Sequence, residues 1–257
     1  MKNIVISLKT ATARREHIVQ EFGKKKIGFE FFDALMPDLA RPLAEKMQLN
    51  IQEDFLSPGE LACFMSHVSI WQKMVDEQIP HLAIFEDDIL LGENSSEFLS
   101  SSNWLKEDWN IVKIEMFNKK VLLSKKDDSF SNHHRRELRQ LLSKHYGCAG
   151  YILSLKAANE LIAYIIKNKR LIPLDHIVFE YFLPISTGKI LQLNPAICIQ
   201  DSILRGNHKN FPSDLEEMRR KRMREEKVKG VGKLIKEFAR VFRQVKLKLF
   251  GFDMGFK

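Results

Sequence analysis

The sequence lacks the features that mark membrane-spanning, secreted and zinc-finger proteins. No apolar run approaches the ~20 residues that cross a bilayer. The first residues are too soon interrupted by charge to form a secretory signal. We therefore expect a cytoplasmic protein. The three cysteines, Cys63, Cys148 and Cys198, lie far apart without metal-finger spacing, and are expected to be buried thiols in a reducing compartment.

Excess positive charge is absent from most of the chain. Residues 205–257 hold 16 Lys and Arg against 7 Asp and Glu, a net charge of +9, whereas residues 1–204 hold 25 against 26, a net charge of −1. A nucleic-acid binder would carry a basic face on its folded domain, so we expect no nucleic-acid partner. The charge pattern predicts a folded domain at residues 1–210 and a basic tail at residues 211–257 with its own partner.

Short apolar runs alternate with segments of helical pattern along the predicted domain. Strands are predicted at residues 3–8, 28–33, 81–85, 109–114, 147–153 and 194–200, and helices at 11–24, 57–77 and 154–168. Ser57, followed by proline and then by Glu60, is typical of a helix start. Residues 119–145 are polar and expected to be rich in loops. The alternation predicts an α/β fold with a mostly parallel central sheet.

Three carboxylates, Glu86, Asp87 and Asp88, follow directly on the predicted strand at residues 81–85. Ligands of open α/β sheets lie beyond the carboxyl ends of the strands. Adjacent like charges repel, and a bound cation lowers that repulsion. Oxygen ligands suit Mg²⁺ or Mn²⁺. The pattern indicates a divalent metal site, and the alternative is a solvated acidic turn.

Four segments of the sequence resemble glycosyltransferase family 25, the lipooligosaccharide galactosyltransferase family. They are VISL with ATARRE near the start, LSPGELACFMSHVSIWQKMV, AIFEDDILL, and CAGYILSLKAANELI with PLDHIVFEYF after it. The second and third, in this order, are the most specific. The resemblance implies a GT-A type nucleotide-sugar-binding domain, a divalent cation, a UDP-sugar donor and inversion of the anomeric centre.

The resemblance also implies roles for particular residues. Glu86 takes the place of the first acid of the family's metal motif and Asp88 that of the second, while His208 could be a third metal ligand or a solvated loop residue. The expected donor-binding residues lie near the ends of the first strands, on the helix at 57–77 and in the acidic turn. They are Ser7, Leu8, Arg14, Arg15, Asp33, Ala34, His67, Glu86 and Asp87. The alternatives are a solvated helix face for the two arginines, a strand-end turn for Asp33 and a structural histidine for His67.

An inverting transfer needs a general base for the acceptor hydroxyl. The candidates are Asp175, which falls inside a segment that matches the family, Glu115, which follows a predicted strand, and Asp201. Asp175 could equally be a helix N-cap.

The tail shows the pattern of a basic amphipathic helix. One face carries Leu234, Phe238, Val241, Phe242, Val245 and Leu249. Lys233, Lys236, Arg240, Arg243 and Lys248 lie largely off that face. This pattern predicts binding to an anionic membrane surface. The alternative is a helix packed on its own domain.

The expected function is the transfer of galactose from UDP-galactose to a lipooligosaccharide acceptor, by an enzyme peripheral on the inner face of the inner membrane. A glucosyltransferase or a protein glycosyltransferase of the same fold remains an alternative. A non-catalytic module that binds sugar nucleotides is another, although such a module has no need of three adjacent carboxylates.

Overall fold

The computed structural model describes residues 1–51, 56–127, 130, 135–168, 171–206, 241–242 and 244–257. The helices are α1 (Thr12–Lys24), α2 (Pro37–Lys46), α3 (Pro58–Asp76), α4 (Ser95–Leu99), α5 (Leu155–Lys167), α6 (Leu174–His176) and α7 (Asp201–Arg205). A π-helical turn, Ile177–Tyr181, continues α6, and residues 244–250 are also helical. None of the described helices combines the length and the apolar composition that a membrane span requires.

The strands form one large sheet and two small ones. They are β1 (Lys2–Ser7), β2 (Glu30–Asp33), β3 (His81–Glu86), β4 (Ile89–Leu91), β5 (Trp109–Lys113), β6 (Glu115–Met116), β7 (Lys120–Val121), β8 (Leu123–Lys126), β9 (Glu137–Leu141), β10 (Gly150–Ser154), β11 (Lys189–Asn194), β12 (Cys198–Gln200) and β13 (Phe252–Asp253). The eight-stranded sheet has the order β2-β1-β3-β10-β5-β11-β9-β8.

The large sheet is mixed, and the prediction of a mostly parallel sheet holds in part: six of its eight strands run in one direction, whereas β10 and β9 run against them. β1 is parallel to β2 and β3, and β11 is parallel to β5, but β10 is antiparallel to both β3 and β5. β9 is antiparallel to β11, and the edge strand β8 is antiparallel to β9. The alternation of strands and helices suggested helical crossovers throughout. The described chain between β5 and β10 instead passes through short strands, so β10 enters at the edge where β3 and β5 end.

Side chains of successive strand residues point into two separate cores. Ile4 and Ile6 pack in one core with α3 and α5, whereas Val5 packs in the other with α1. The same alternation holds along β3, where Ile84 belongs to the first core and Phe85 to the second. This period of two is what a strand with helices on both faces requires. The α/β class predicted from the sequence is confirmed.

Most predicted helices and strands occur near their predicted bounds. α3 begins with a full capping box, in which Ser57 and Glu60 each accept a hydrogen bond from the other's backbone N–H. Ser154 caps α5 by accepting from Ala157 N. The predicted loop-rich segment 119–145 instead contains β7, β8 and β9, which were missed because their residues are polar.

A three-stranded sheet joins distant parts of the chain beside the end of β3. β12 pairs antiparallel with β4 and parallel with β6. The pairing places Gln200 opposite Ile89, the residue that follows the acidic turn. The short antiparallel strand β4 therefore fixes which late residue faces the acids.

The end of the chain packs against the domain. Phe252 pairs with Val121, and the side chain of Met254 is buried. Gly255 O accepts a hydrogen bond from Ala196 N at 2.7 Å. Residues 251–257 thus belong structurally to the body, which the predicted boundary at residue 211 did not anticipate. Residues 207–240 and 243 lie outside the described part of the chain. They include several residues of the predicted site and tail: His208, Lys233, Leu234, Lys236, Phe238, Arg240 and Arg243.

Candidate active site

The acidic turn lies at one edge of the large sheet. β3 ends at Glu86, and the chain turns through Asp87 and Asp88 into β4. β1, β3 and β5 all end at this edge, while β10 begins there, because its Gly150 lies opposite Phe85. The ends of four strands therefore converge on one edge, as expected for the binding crevice of an α/β sheet.

The middle acid, Asp87, is buried and paired. Its Oδ2 accepts a hydrogen bond from Ser7 Oγ at 2.7 Å, and its Oδ1 lies 2.7 Å from Nη1 of Arg14 in an ion pair. Burial lowers the pKa of Arg14, but the charge and hydrogen bond of Asp87, together with the charges of Asp88 and Glu86, raise it by more. Both residues were predicted to contact a donor. In this structure they pair with each other and fasten α1 and the end of β1 to the acidic turn.

The outer acids, Glu86 and Asp88, point towards a common amide. Gln200 Nε2 lies 3.3 Å from Glu86 Oε2 and 3.3 Å from each carboxylate oxygen of Asp88. The shared amide shows that both carboxylates face the same point. Their binding of one cation, as the spacing of residues 86 and 88 suggests, stays a prediction.

The electrostatics of Asp88 favour a positive partner. The pKa of Asp88 is raised to about 7, chiefly by burial and also by the charges of Glu86 and Asp87, although Arg14 and the hydrogen bond from Gln200 act to lower it. A divalent cation would stabilise the ionised form. The donor atoms here are carboxylate oxygens, which suit Mg²⁺ or Mn²⁺. Glu86 and Asp88 therefore fit such an ion.

The residues at the end of β1 form a cluster beside the turn. Arg15 donates from Nη2 to Ser7 O at 3.0 Å and from Nε to Leu8 O at 3.1 Å. It also forms an ion pair with Asp33, and the hydrogen bond from Arg15 lowers the pKa of that carboxyl. Ala34 N donates to Ser7 O at 2.9 Å. The structure brings the predicted donor-binding residues of β1, α1 and β2 together, and their role in binding stays a prediction.

His67 lies in the core behind the acidic turn. Its side chain is fully buried on α3, and its Nδ1 is 2.9 Å from Tyr151 Oη, which also accepts a hydrogen bond from Trp71 Nε1 at 2.9 Å. Burial lowers the pKa of His67 to about 3, so the ring is neutral at neutral pH. Its Nε2 lies 3.9 Å from Glu86 Oε1. The residue is thus both structural and next to the acid turn.

Glu115 is placed as a structural residue rather than as a base. Its carboxylate is fully buried, and Oε2 accepts from Lys113 Nζ at 2.7 Å and from Ala149 N at 3.1 Å. Burial raises the pKa of Glu115, while the Lys113 charge opposes that rise. A general base must reach a substrate hydroxyl. A buried carboxylate enclosed by its own chain does not, so the prediction for Glu115 is not supported by its position.

Gly147 packs closely against the carboxylate of Glu115. Its φ is +81°, and a Cβ at this position would lie 2.6 Å from Glu115 Oε1. The Gly147 carbonyl accepts from Lys113 Nζ at 2.6 Å, and its N–H donates to Asp175 Oδ2 at 3.2 Å. Both the left-handed backbone and the close contact require glycine here. The start of β10 is thereby held between the buried ion pair and Asp175.

Asp175 is half-buried at the same edge. It is not the N-cap of α6, because that position is Pro173, so the capping alternative is wrong. Its Oδ1 accepts from His176 N at 3.0 Å. Burial raises the pKa of the Cys148 thiol, and the charges of Asp175, Glu115 and Glu86 raise it further while Lys113 opposes them. The charges of Asp175 and of Glu86 thus both act on Cys148, and Asp175, which is half-buried, is better placed than the buried Glu115 to reach a substrate.

The remaining base candidate, Asp201, is buried and forms an ion pair with Arg205 within α7. Its N–H donates to Asp88 O at 2.8 Å, so it supports the acidic turn through the backbone. Gln200, directly before it, was not predicted as a site residue. The same criterion that selected Glu86, a polar side chain at the end of an apolar strand, would have found Gln200. Nothing in the sequence pattern indicated that Lys113 is buried.

Comparison with known proteins identifies relatives over most of the chain. A sequence model described as glycosyltransferase family 25 (LPS biosynthesis protein) matches residues 1–178. The lipooligosaccharide biosynthesis protein lic2B of Haemophilus influenzae is 36% identical over 261 residues, covering 96% of this chain and 96% of that protein. The lacto-N-neotetraose biosynthesis glycosyltransferase LgtE of Neisseria meningitidis serogroup B is 38% identical over 214 residues, covering 78% of this chain and 74% of that protein.

A solved structure also resembles the chain weakly. It is a glycosyltransferase involved in the glycosylation of the major capsid of PBCV-1, with a TM-score of 0.41 and 9% identity, and the match covers 78% of this chain and 94% of that chain. This likeness is too low to support any argument. The residues matched by the family model include the acidic turn, α3 and Asp175, but not Gln200.

Proposed function

Because the chain belongs to glycosyltransferase family 25, we propose that it is an inverting, metal-dependent galactosyltransferase. It would move galactose from UDP-galactose to an acceptor sugar of a lipooligosaccharide. The observation that carries this proposal is the convergence of Glu86 and Asp88 on Gln200, beside the cluster at the end of β1. Two carboxylates at a sheet edge, with polar groups alongside, suit a cation and the nucleotide diphosphate that it would accompany.

Glu86 and Asp88 would hold the cation, with His208 as a further ligand from outside the described residues. When bound, Mn²⁺ or Mg²⁺ stabilises the negative charge that develops on a diphosphate leaving group. The protein's own contribution is to orient the two carboxylates and to offset part of the rise in the pKa of Asp88. Gln200 does this by donating to both, and Arg14 does so by its charge, which lowers the pKa of Asp88.

The donor nucleotide would lie against the cluster of Ser7, Leu8, Arg15, Asp33 and Ala34. Arg15 is held by two backbone carbonyls and by Asp33. A guanidinium fixed in this way is ordered before the ligand arrives, which reduces the entropy lost on binding. Asp33 and Ala34 would contact the uridine, and the arginines would face the diphosphate.

Asp175 would be the base that takes the proton from the acceptor hydroxyl. It is half-buried, lies at the same edge and has one carboxylate oxygen held by Gly147 N. A carboxylate oriented by the backbone can accept a proton without losing its position. The relatives' names, which mention lipooligosaccharide and lacto-N-neotetraose biosynthesis, support an oligosaccharide acceptor.

The enzyme would act at the inner face of the inner membrane, held there by its basic tail. The described part of the predicted apolar face is exposed: Val241, Phe242, Val245 and Leu249 are between 50% and 72% accessible to solvent. Exposed apolar side chains on a helix with lysines beside them suit the headgroup region of an anionic bilayer. Each basic residue near such a surface adds ~1 kcal/mol of attraction.

The direct test is a panel of UDP-sugars with Mn²⁺, assayed for transfer to short soluble acceptors, with the anomeric configuration of the product read by NMR. We expect UDP-galactose to be the preferred donor, and UDP with Mn²⁺ to raise the melting temperature more than UDP alone. A preference for UDP-glucose, or transfer to a protein acceptor, would establish the alternative enzymes. Binding of UDP-sugars without any transfer would leave a non-catalytic module.

A further inference from the structure

One histidine nitrogen beside the acidic turn is buried without a hydrogen-bond partner among the described residues. It is Nε2 of His67, whose ring is fully buried. A buried polar atom that lacks a partner is unfavourable by about 1–3 kcal/mol and calls for an explanation. The other ring nitrogen is held by Tyr151 Oη, so the ring cannot turn away without breaking that contact.

His67 lies close to two other side chains that can bind metals. Cys63 precedes His67 by four residues on α3, so both side chains lie on one face of the helix. The Sγ of Cys63, one ligand nitrogen of His67 and a carboxylate oxygen of Glu86 all lie within 4.8 Å of one another. Glu86 divides its two oxygens: Oε1 is 3.9 Å from His67 Nε2, and Oε2 is 3.3 Å from Gln200 Nε2.

We propose that Cys63, His67 and Glu86 form a binding site for a thiophilic divalent cation such as Zn²⁺. This site is separate from the all-oxygen site of Glu86 and Asp88, although the two share the Glu86 carboxylate. Thiolate, imidazole and carboxylate are the ligands that Zn²⁺ takes in proteins. Three protein ligands leave a fourth position open for water or another ligand.

The geometry requires only small movements. Ligand atoms of a tetrahedral zinc site are separated by roughly 3.3–3.8 Å, given the usual bond lengths. The present separations, up to 4.8 Å, would shrink by roughly 1.5 Å at most, which rotation of the Cys63 and Glu86 side chains can supply. Cys63 and Glu86 are half-buried rather than fully buried, so an ion can reach the site from solvent.

The surroundings of His67 are those of a metal ligand. Metal-binding histidines hold their second ring nitrogen in a hydrogen bond that fixes the tautomer. Tyr151 Oη can accept hydrogen bonds from both His67 Nδ1–H and Trp71 Nε1–H. With the proton on Nδ1, the neutral ring has its lone pair on Nε2, the nitrogen near Glu86. Burial keeps the ring neutral, as ligation requires. On binding, the Cys63 thiol would give up its proton to the buffer and bind as thiolate.

The test is metal binding by the full chain in the absence of any nucleotide sugar. We expect one Zn²⁺ to bind by calorimetry, and Co²⁺ to give a near-ultraviolet absorption band from thiolate-to-metal charge transfer. Loss of a hydrogen-bond partner behind a ligand weakens metal binding roughly 10–100-fold, so Cys63→Ser should weaken Zn²⁺ binding by at least that factor. The same variant should lose the cobalt band.

Matched variants separate this site from other sources of binding. Cys148→Ser changes a buried cysteine outside the trio and should keep both the affinity and the band. Tyr151→Phe, which keeps the ring and removes the hydroxyl, should weaken Zn²⁺ binding about tenfold, with circular dichroism confirming the fold. Equal Zn²⁺ affinity in wild type and Cys63→Ser, or a cobalt complex without a thiolate band, would overturn the proposal. Neither result depends on galactosyl transfer, so the two proposals can fail independently.

Discussion

Replacing Asp88 with asparagine should stabilise the metal-free protein and remove its response to metal. Burial and Glu86 together raise the pKa of Asp88 from 3.8 to about 7. The folded protein therefore resists ionisation of this carboxyl. In the unfolded chain Asp88 ionises near its ordinary pKa. At pH 8 the folded state therefore holds a buried charge that is hydrated in the unfolded chain, and this lowers the free energy of unfolding.

The magnitude follows from the size of the rise. A rise of about three pKa units corresponds to about 4 kcal/mol as an upper limit, at about 1.4 kcal/mol per unit. Glu86 shares the repulsion, so we expect the Asp88→Asn protein to gain about 1–3 kcal/mol at pH 8, or roughly 3–10 °C in melting temperature for a chain of this size. Below about pH 4 Asp88 of wild type is protonated in both the folded and the unfolded state, so the difference in stability between wild type and Asp88→Asn should vanish. Stability of metal-free wild type should therefore fall as pH rises from about 4 to about 7.

The assay is thermal unfolding with a chelator and with Mn²⁺, at pH 5 and at pH 8. Wild type should gain stability from Mn²⁺ at pH 8, whereas Asp88→Asn should gain little and should lose sugar transfer. Glu107→Gln, at an exposed carboxylate away from the turn, is the control and should behave as wild type. The reasoning is refuted if Asp88→Asn destabilises the metal-free protein at pH 8, or if its effect is the same at both pH values.

Three further outcomes are expected. Lys113→Met should destabilise the protein by about 3–5 kcal/mol in urea unfolding, because it leaves Glu115 charged and buried without its partner. The control, Lys156→Met on the exposed face of α5, should change stability by less than about 0.5 kcal/mol. Similar losses for both variants would show that the buried pair is not held as described. Asp175→Asn should lower the transfer rate by about 10²–10⁴-fold. Donor affinity should stay unchanged, since asparagine can still accept the hydrogen bond from Gly147 N. Loss of UDP binding instead would assign Asp175 to the nucleotide-binding site. Phe242→Ser combined with Leu249→Ser should reduce co-sedimentation with anionic vesicles, whereas Ile166→Ser, at an exposed apolar residue of α5, should not. Substitution is preferable to deletion of the tail, because deletion would also remove the packed residues 251–257.

Local sequence patterns were sufficient for the first half of the fold. The buried runs of β1 and β3 and the capping signals of α3 and α5 depend on neighbouring residues alone, and the structure has them where the sequence predicts. The acidic turn was found for the same reason, since three carboxylates after an apolar strand are visible in a few residues.

Features set by distant pairing were not predictable in this way. The direction of β10 depends on where the chain re-enters the sheet, and β8 and β9 are polar strands recognised only by their neighbours. Lys113 looks like a surface residue until the structure places Glu115 and the Gly147 carbonyl around its ammonium group. Gln200 belongs to the site because β12 pairs with β4, a pairing that no short pattern encodes.

The pairing of β12 with β4 has a consequence for the order in which the site is made. Gln200 follows Asp88 by 112 residues, so a ribosome releases the acidic turn long before the amide that bridges it. Until then β4 has no β12 to pair with, and Glu86 and Asp88 repel each other without the donor that later links them. Because the chain is synthesised from the N-terminus, the edge of the sheet that carries the acidic turn is completed late. The nascent protein has its acids early, but the amide that links Glu86 and Asp88 is added only when nearly the whole domain has been synthesised.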